Sequence, residues 1–332
     1  MSSEPTTSVL TARPVVAALE ERGVDAAGIL RRARISREVL ASVDNRLPSG
    51  SVRNLWEAAA RAVHDPSFGV HLAEALPAGA YDVFEHILAA ADSVGEGFSR
   101  LARYFPLFQD HATLKVVLEP GRARLLRRGP SLGPQCDEFT FAVIVLRSRQ
   151  ASTVAWSPER VSFRHIRKRD DGEPARVFGC PVLFGGAETE MSFAPSVLAL
   201  PHPRADSALL EVLCSRMEAR LRSVPGPGAL LARVSAAIAR VIRTEPPTLA
   251  ATAAAVRIPE RTLQRRLADE GVSHSALVDD VRRNLALEYL GDASLSVTEI
   301  AYRLQFADPP TFYRAFKRWT GESPLSYRKR FL

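Results

Sequence analysis

The chain has 332 residues, which is too long for one ordinary hydrophobic core, so we expect two domains. Its 46% hydrophobic and 24% charged residues are typical of a globular protein. No apolar run reaches the roughly 18 residues of a transmembrane helix, which argues against a membrane protein. Residues 229–332 contain 16 Lys and Arg against 11 Asp and Glu, so they account for +5 of the net charge of +7. Most of the excess therefore lies in the last third, as a polyanion-binding module would require.

The three cysteines, Cys136, Cys180 and Cys214, are widely separated and form no C-x-x-C pair. This spacing argues against a disulfide framework and a zinc site, so we expect no metal and no cofactor. The opening residues lack the basic-then-apolar pattern of a secretory signal, and we expect a cytoplasmic protein without a membrane partner.

Hydrophobic periodicity predicts a mixed α/β domain over residues 1–222, although the strand order cannot be read from the sequence. The predicted helices are 13–22, 26–34, 51–64, 81–91, 94–108, 136–152 and 205–222. The predicted strands are 113–118, 122–127, 161–167, 181–184 and 188–193. Aromatic residues on these helices, such as Phe105, Phe108 and Phe139, are predicted to be buried in the core, and an effector cavity would be lined by similar residues.

Two prolines and two glycines in residues 223–228 predict a linker. Beyond it, residues 229–332 have strong helical periodicity and no convincing strand. The predicted helices are 229–243, 248–256, 259–270, 274–290, 296–304, 308–319 and 323–331. Ser296 and Glu299 form a predicted capping box, and Asp308-Pro309 is a typical helix start. Glycine caps are predicted at Gly271, Gly291 and Gly321.

This all-α domain contains an internal repeat. Thr248–Ser273 aligns with Ser296–Ser323 when one or two residues are inserted. Each copy has a short helix, a tight turn and a longer helix with one apolar and one basic side, which is typical of a helix-turn-helix unit. We place the two units at about 248–271 and 296–320, joined by a linker helix.

The second helix of each unit offers side chains suited to DNA. Arginine and glutamine can bond bidentately to guanine and adenine, and lysine suits phosphate. Helical spacing places three of these side chains on one face in each unit. They are Arg261, Gln264 and Arg265 in the first unit, and Thr311, Arg314 and Lys317 in the second. In the linker helix, Arg282 and Arg283 are expected either to touch the DNA backbone or to pair with Asp279 and Asp280.

The C-terminal module resembles the AraC/XylS family of bacterial transcription regulators. The resemblance covers about one hundred residues and is strongest over Glu299–Arg328. The matching residues are Ile300, Ala301, Phe306, Phe312, Arg314, Phe316, Lys317, Gly321 and Pro324. It implies base-contacting positions at Arg261, Gln264 and Arg265 and at Pro310, Thr311 and Arg314.

The sequence departs from the family pattern at both turns. Arg257 and Gln305 occupy places where the family usually has glycine. If the turn requires a positive φ, each costs on the order of 1 kcal/mol relative to glycine. Pro259, Ala307 and Pro310 replace family serines. Because proline cannot donate a hydrogen bond to a base, we expect weaker sequence readout by the second unit.

Most of residues 12–222 resemble the arabinose-binding-like sensor domain found in ornithine- and arginine-responsive regulators of this family. The matching segments are Val16–Leu19, Gly23–Asp25, Leu55–Glu57, Asp65–Gly69, Leu101–Tyr104 and Phe178–Gly185. The resemblance implies effector sensing and dimerisation by residues 1–222, without naming the ligand.

We therefore expect a DNA-binding transcription regulator rather than an enzyme. Its expected partners are double-stranded operator DNA, a small-molecule effector and a second copy of the chain, with RNA polymerase as a further candidate. No common catalytic motif is present. Two alternatives stay open: a constitutive or architectural DNA-binding protein whose N-terminal domain only dimerises, and an enzyme fused to a DNA-binding module.

Overall fold

The computed structural model describes residues 4–77, 79–81, 83–152, 154–167, 171–224, 227–292 and 294–331. The chain divides into two compact units. The N-terminal unit comprises residues 1–117 and 123–228, and the C-terminal unit comprises residues 118–122 and 229–332. No helix among the described residues has both the length and the apolar character needed to cross a membrane.

The N-terminal unit is mixed α/β, as predicted. Its helices are α1 Arg13–Glu21, α2 Ala26–Arg32, α3 Ser49–Ala62, α4 Phe68–Ala75, α5 Val83–Ala90, α6 Val94–Tyr104, α7 Pro134–Ala151, α8 Glu173–Phe178 and α9 Ser207–Leu221. Its strands are β1 Thr6–Ser8, β2 Arg46–Pro48, β3 Thr113–Glu119, β4 Arg122–Arg128, β5 Arg160–Phe163, β6 Val182–Phe184 and β7 Thr189–Phe193.

The strands form a two-stranded and a five-stranded sheet. β1 pairs with β2 antiparallel, and the larger sheet has the order β3-β4-β7-β5-β6. β7 is antiparallel to both β4 and β5, whereas β5 and β6 are parallel. A parallel pair needs a crossover connection, and the connection between β5 and β6 contains α8.

The core of this unit is built around α7, which packs against α3, α4, α5 and α8. Trp56 of α3 is fully buried, and its ring centroid lies 4.8 Å from that of Phe139 on α7. Gly69 permits the close approach of α4, because a Cβ atom there would lie 2.2 Å from the carbonyl oxygen of Gln135.

Four elements of this unit are absent from the sequence prediction: β1, β2, α4 and α8. The two strands have three residues each, and the two helices have eight and six residues. The two short strands show too little alternation of apolar and polar residues, and α4 is buried on most sides, so neither kind of segment has a clear apolar stripe. The strand predicted over 161–167 was too long, since β5 ends at Phe163.

The described residues of 229–332 confirm the predicted all-α architecture of this part of the C-terminal unit. Its helices are α10 Pro227–Val241, α11 Leu249–Val256, α12 Glu260–Asp269, α13 His274–Leu290, α14 Val297–Arg303, α15 Pro309–Thr320 and α16 Pro324–Phe331. α10 begins inside the segment predicted as a linker, because proline is well tolerated at a first helical position. Pro225 and Gly226 of that segment lie outside the described residues.

One hydrophobic core joins the helices of the C-terminal unit. Its fully buried members are Val234, Ile238, Ile242, Leu263, Ala286, Ile300, Ala301, Leu304, Phe312 and Phe316. The helix ends are mostly as predicted: Gly271 and Gly321 have φ values of 66° and 83°. Gly291 is different, because it caps α13 in the right-handed region with a φ of −71°, so it is not a left-handed glycine cap.

Candidate DNA interface

The first helix-turn-helix unit is formed by α11 and α12. The Thr248 hydroxyl caps α11 by accepting a hydrogen bond from the amide of Ala251. Arg257 ends this helix in the left-handed region at a φ of 55°, so the turn does require the conformation in which glycine is favoured. α12 starts after Pro259, which provides no side-chain cap. The structure thus confirms the strained turn expected from the departure at Arg257.

α12 has one fully buried and one exposed side. Leu263 and Leu267 anchor it in the core. Arg261, Gln264 and Arg265 are all exposed, as the helical spacing predicted. Within the described part of the chain, these three side chains form no hydrogen bond or ion pair with other residues. Their polar atoms are therefore available to a ligand that approaches this side of the helix.

The second unit is formed by α14 and α15. The predicted capping box is present: the amide of Glu299 donates to the Ser296 hydroxyl, and the Glu299 carboxylate accepts from the amide of Ser296. Hydrogen bonds from the amide and then the side chain of Ser296 to the carboxylate hold the pKa of Glu299 below its usual value. Gln305 forms the turn with a φ of 57°, in the same conformation as Arg257.

α15 begins at a strong cap. The Asp308 carboxylate accepts a hydrogen bond of 2.6 Å from the amide of Thr311, and hydrogen bonds from Thr311 lower the pKa of Asp308. Pro309 occupies the first helical position. A negative charge at a helix N-terminus stabilises the helix through its dipole. The start of α15 is therefore fixed more firmly than the start of α12.

The outer side of α15 combines exposed and engaged groups. Pro310, Arg314 and Lys317 are exposed, and Thr311 is half-buried. Arg314 Nη2 donates to Thr311 Oγ1 at 2.9 Å, a contact that the sequence analysis did not anticipate. On the inner side, Phe312 is fully buried. In this structure Arg314 and Thr311 are therefore engaged with each other.

Arg282 of the linker helix α13 has a structural role that the sequence analysis missed. Its Nε donates to the carbonyl of Leu304 at 3.0 Å, and its Nη2 donates to the carbonyl of Gln305 at 2.7 Å. Its guanidinium lies 4.4 Å from the ring centroid of Phe306. Burial lowers the pKa of Arg282. Arg282 therefore braces the second turn from behind.

Among the described residues, Arg282 forms no salt bridge with Asp279 or Asp280, so the expected pairing was wrong for Arg282. Contact of Arg282 with the DNA backbone stays a prediction. Arg283 is largely buried and pairs with Asp280 at 3.5 Å. Asp279 instead pairs with Arg318 of α15, at 2.7 Å. The turn carbonyls are better partners for Arg282 because a helix C-terminus leaves its last carbonyls without intrahelical donors.

α13 also contacts the first unit. A hydrogen bond of 2.9 Å joins Thr252 Oγ1 of α11 to His274 Nε2 at the start of α13. Burial lowers the pKa of His274, which favours the neutral ring. With Arg282 on the second turn, this places one helix against both units. Two capped helix-turn-helix units braced by a common helix define a DNA-binding protein of the helix-turn-helix class.

Comparison with known proteins specifies the class further. The model of the arabinose-binding domain of AraC transcription regulators matches residues 23–202, and a helix-turn-helix domain model matches residues 252–330. The chain therefore belongs to the AraC family of transcription regulators, and DNA-binding transcription regulation is the function that its relatives share.

Two relatives and one solved structure match nearly the whole chain. The ornithine utilization regulator of Pseudomonas aeruginosa is 28% identical over 318 residues, covering 93% of this chain and 92% of that protein. The regulator VirS of Mycobacterium tuberculosis is 25% identical over 316 residues, with coverage of 93% and 92%. The crystal structure of the regulator CdpR from Pseudomonas aeruginosa is 22% identical, with coverage of 96% and 98% and a TM-score of 0.43.

Proposed function

We propose that the chain recognises a specific operator by placing α12 and α15 in two major-groove segments about one helical turn apart. The proposed contact residues are Arg261, Gln264 and Arg265 in α12, and Pro310, Thr311, Arg314 and Lys317 in α15. Of these, Lys317 would contact phosphate and Pro310 would make only apolar contacts. The three polar residues of α12 would provide most of the base selection.

One observation supports this proposal most strongly: both helices are anchored on one side and present long polar side chains on the other. Leu263 and Phe312 are fully buried, while Gln264, Arg265 and Arg314 are exposed. Buried anchors fix the helix, and the exposed groups can then meet base edges in a defined register. The excess of positive charge over residues 229–332 adds favourable interaction with the phosphates.

The test uses the full chain and its operator, located by genomic footprinting. Inserting about five base pairs between the two protected segments places them on opposite faces of the duplex. We expect affinity to fall to that of a single segment. An insertion of the same length outside the segments is the matched control and should have no effect. Unchanged affinity after the central insertion would mean that only one unit binds.

The proposal also includes control by a small organic effector bound in the N-terminal unit, and a homodimer. The match to an arabinose-binding domain model and the separate core of this unit support effector binding. Since one relative is named for ornithine utilization, L-ornithine belongs in the first screen. RNA polymerase is a candidate partner, because a regulator acts on the initiation of transcription.

Operator affinity measured with and without each screened compound tests effector control. We expect at least one compound to change the affinity several-fold. If compounds that bind the N-terminal unit leave operator affinity unchanged, the alternative of a constitutive or architectural DNA-binding protein is favoured. Sedimentation of the chain with and without operator tests the dimer, and a monomer under both conditions would contradict it. No arrangement among the described residues favours the alternative of an enzyme.

A further inference from the structure

The N-terminal unit contains a cavity of about 60 Å³ that is lined mainly by aromatic and aliphatic side chains of α5, α6 and α7 and of the segment after α6. Phe84, Phe105 and Phe139 are among its walls, and all three are buried. A space of this kind holds roughly four waters at about 15 Å³ each. A cavity of about 150 Å³ holds benzene, so one aromatic ring fits here when the side chains that line the cavity move apart. The dimensions and walls therefore suit a small, mostly apolar molecule.

Two buried polar side chains of the lining have groups without partners in the described part of the chain. Tyr81 is 8% exposed, and its hydroxyl forms no hydrogen bond with those residues. Gln109 is 5% exposed, and its Oε1 accepts from Arg127, whereas its amide nitrogen has no acceptor there. Both groups can donate to an oxygen atom of a ligand.

The charged residues of the lining are already neutralised. Arg147 Nε lies 3.4 Å from Glu85 Oε1, and Arg147 Nη2 donates to the carbonyls of Leu76 and Pro77 at 2.8 and 3.0 Å. The Glu85 carboxylate accepts from the amides of Gly79 and Tyr81. A charged ligand would lose its hydration without gaining a free counter-charge. The cavity therefore favours uncharged molecules.

We propose that this cavity binds an uncharged, single-ring molecule that has one hydroxyl or carbonyl oxygen. Tyr81 and Gln109 hydrogen-bond that oxygen, and the aromatic walls contact the ring. The further step, that such a molecule is the effector, rests on the proposed function. Burial raises the pKa of Tyr81 well above its usual value, so its hydroxyl stays protonated and able to donate.

Calorimetry on the full chain, with phenol, toluene and benzoate as probes, tests the site. We expect phenol and toluene to bind and benzoate not to bind. Tyr81→Phe removes one neutral hydrogen bond, so it should weaken phenol about fivefold and leave toluene unchanged. Tyr104→Phe is the matched control, because it removes a buried hydroxyl that does not line the cavity. It should change neither affinity.

A variant that fills the space completes the test. Val143 lines the cavity and is only half-buried, so Val143→Phe should abolish binding of both neutral probes. If that variant does not fold, the affinities of Tyr81→Phe for phenol and toluene are sufficient to test the site. Benzoate binding as tightly as phenol would overturn the inference. So would equal effects of Tyr81→Phe and Tyr104→Phe on phenol.

Operator affinity at saturating phenol separates this inference from effector control. Phenol that binds in the cavity and leaves operator affinity unchanged would support the site and contradict effector control through it. If no neutral probe binds while another compound changes operator affinity, the cavity assignment is wrong and effector control stands.

Discussion

The two helix-turn-helix units share one architecture, but the second has more stabilising contacts and the first has more exposed polar side chains without partners. The first unit has no side-chain cap at the start of α12, and its three exposed polar residues have no partner among the described residues. In the second unit, α14 has a capping box, α15 has the Asp308 cap, and Arg282 braces the turn. Arg314, its exposed candidate for base contact, is already bonded to Thr311.

This difference indicates that the second unit is more firmly organised and the first has more unengaged groups for bases. A side chain without an intramolecular partner can adopt the geometry that a base edge requires. A pair such as Arg314 and Thr311 must exchange one hydrogen bond for another, which reduces the net gain on binding. We therefore expect the first unit to select sequence and the second to hold the protein on DNA.

The largest effect should come from removing the brace of the second unit. Arg282→Leu eliminates two charge-assisted hydrogen bonds to the carbonyls of Leu304 and Gln305. Such bonds contribute about 1.5–3 kcal/mol each when buried, and partial exposure of Arg282 should bring the total loss to about 2 kcal/mol. Chemical denaturation of the full chain measures the change, and footprinting should show weaker protection of the second segment only.

Two further variants sharpen the Arg282 experiment. Arg282→Lys keeps the charge but cannot reproduce the fork of the guanidinium, so it should restore only part of the stability. Arg318→Ala breaks an exposed ion pair with Asp279 and should cost less than about 1 kcal/mol. If Arg282→Leu costs no more than Arg318→Ala, then Arg282 does not brace the turn.

Glycine substitutions in the two turns should change the free energy of unfolding equally in both units, and by less than Arg282→Leu. Because Arg257 and Gln305 have φ values of 55° and 57°, Arg257→Gly and Gln305→Gly should each raise the free energy of unfolding by up to about 1 kcal/mol. Ala254→Gly, on the exposed side of α11, should instead lower it by about 1 kcal/mol. Denaturation curves in which all three variants are destabilised would contradict strain at the turns.

Lowering the pH should affect the helix caps of the two units differently. Hydrogen bonds depress the pKa of Asp308 and Glu299 from their ordinary values of 3.8 and 4.5. The contribution of these two caps to the stability of the folded state is therefore fully present above those values. It is lost as the pH falls through the lower values of the folded state. The first unit uses the Thr248 hydroxyl, which does not titrate.

His274 must first be replaced, because protonation of its ring would disturb the contact with Thr252 of α11. Hydrogen exchange of a His274→Gln variant, corrected for intrinsic rates, should therefore show α14 and α15 losing protection before α11 and α12 as the pH is lowered. Asp308→Asn retains a good cap without a titrating group, so it should remove the acid sensitivity of α15. The opposite order of protection loss would contradict this assignment of the caps.

The sequence predicts much of the C-terminal unit because its signals are local. Ser296, Glu299 and Asp308 cap helices through atoms three residues away, and such spacing is visible without a fold. The role of Arg282 is not visible in this way, because its acceptors are backbone carbonyls 22 and 23 residues along the chain. Backbone acceptors leave no residue-type signature, so only the folded structure identifies them.

The same limit applies to the N-terminal unit. β1 and β2 pair across about forty residues in three-residue segments, which no period can reveal. Sequence analysis predicted the aromatic residues of the helices to be buried, and Phe105, Phe108 and Phe139 are buried. It could not show that these three side chains also line one cavity, because α6 and α7 are brought together only by folding.

The most direct test of the division between the units is binding of the full chain to a library of randomised operator sites. Arg265→Ala should cost about 1–3 kcal/mol on the best site and relax the choice of base at one position of the first segment, as should Gln264→Ala. Arg314→Ala should reduce affinity with less loss of base preference. Lys317→Ala, the phosphate control, should weaken all sequences alike and lower the salt slope by about one unit. If Arg314→Ala erases sequence preference while Arg265→Ala leaves it intact, the second unit selects the sequence and the account is contradicted.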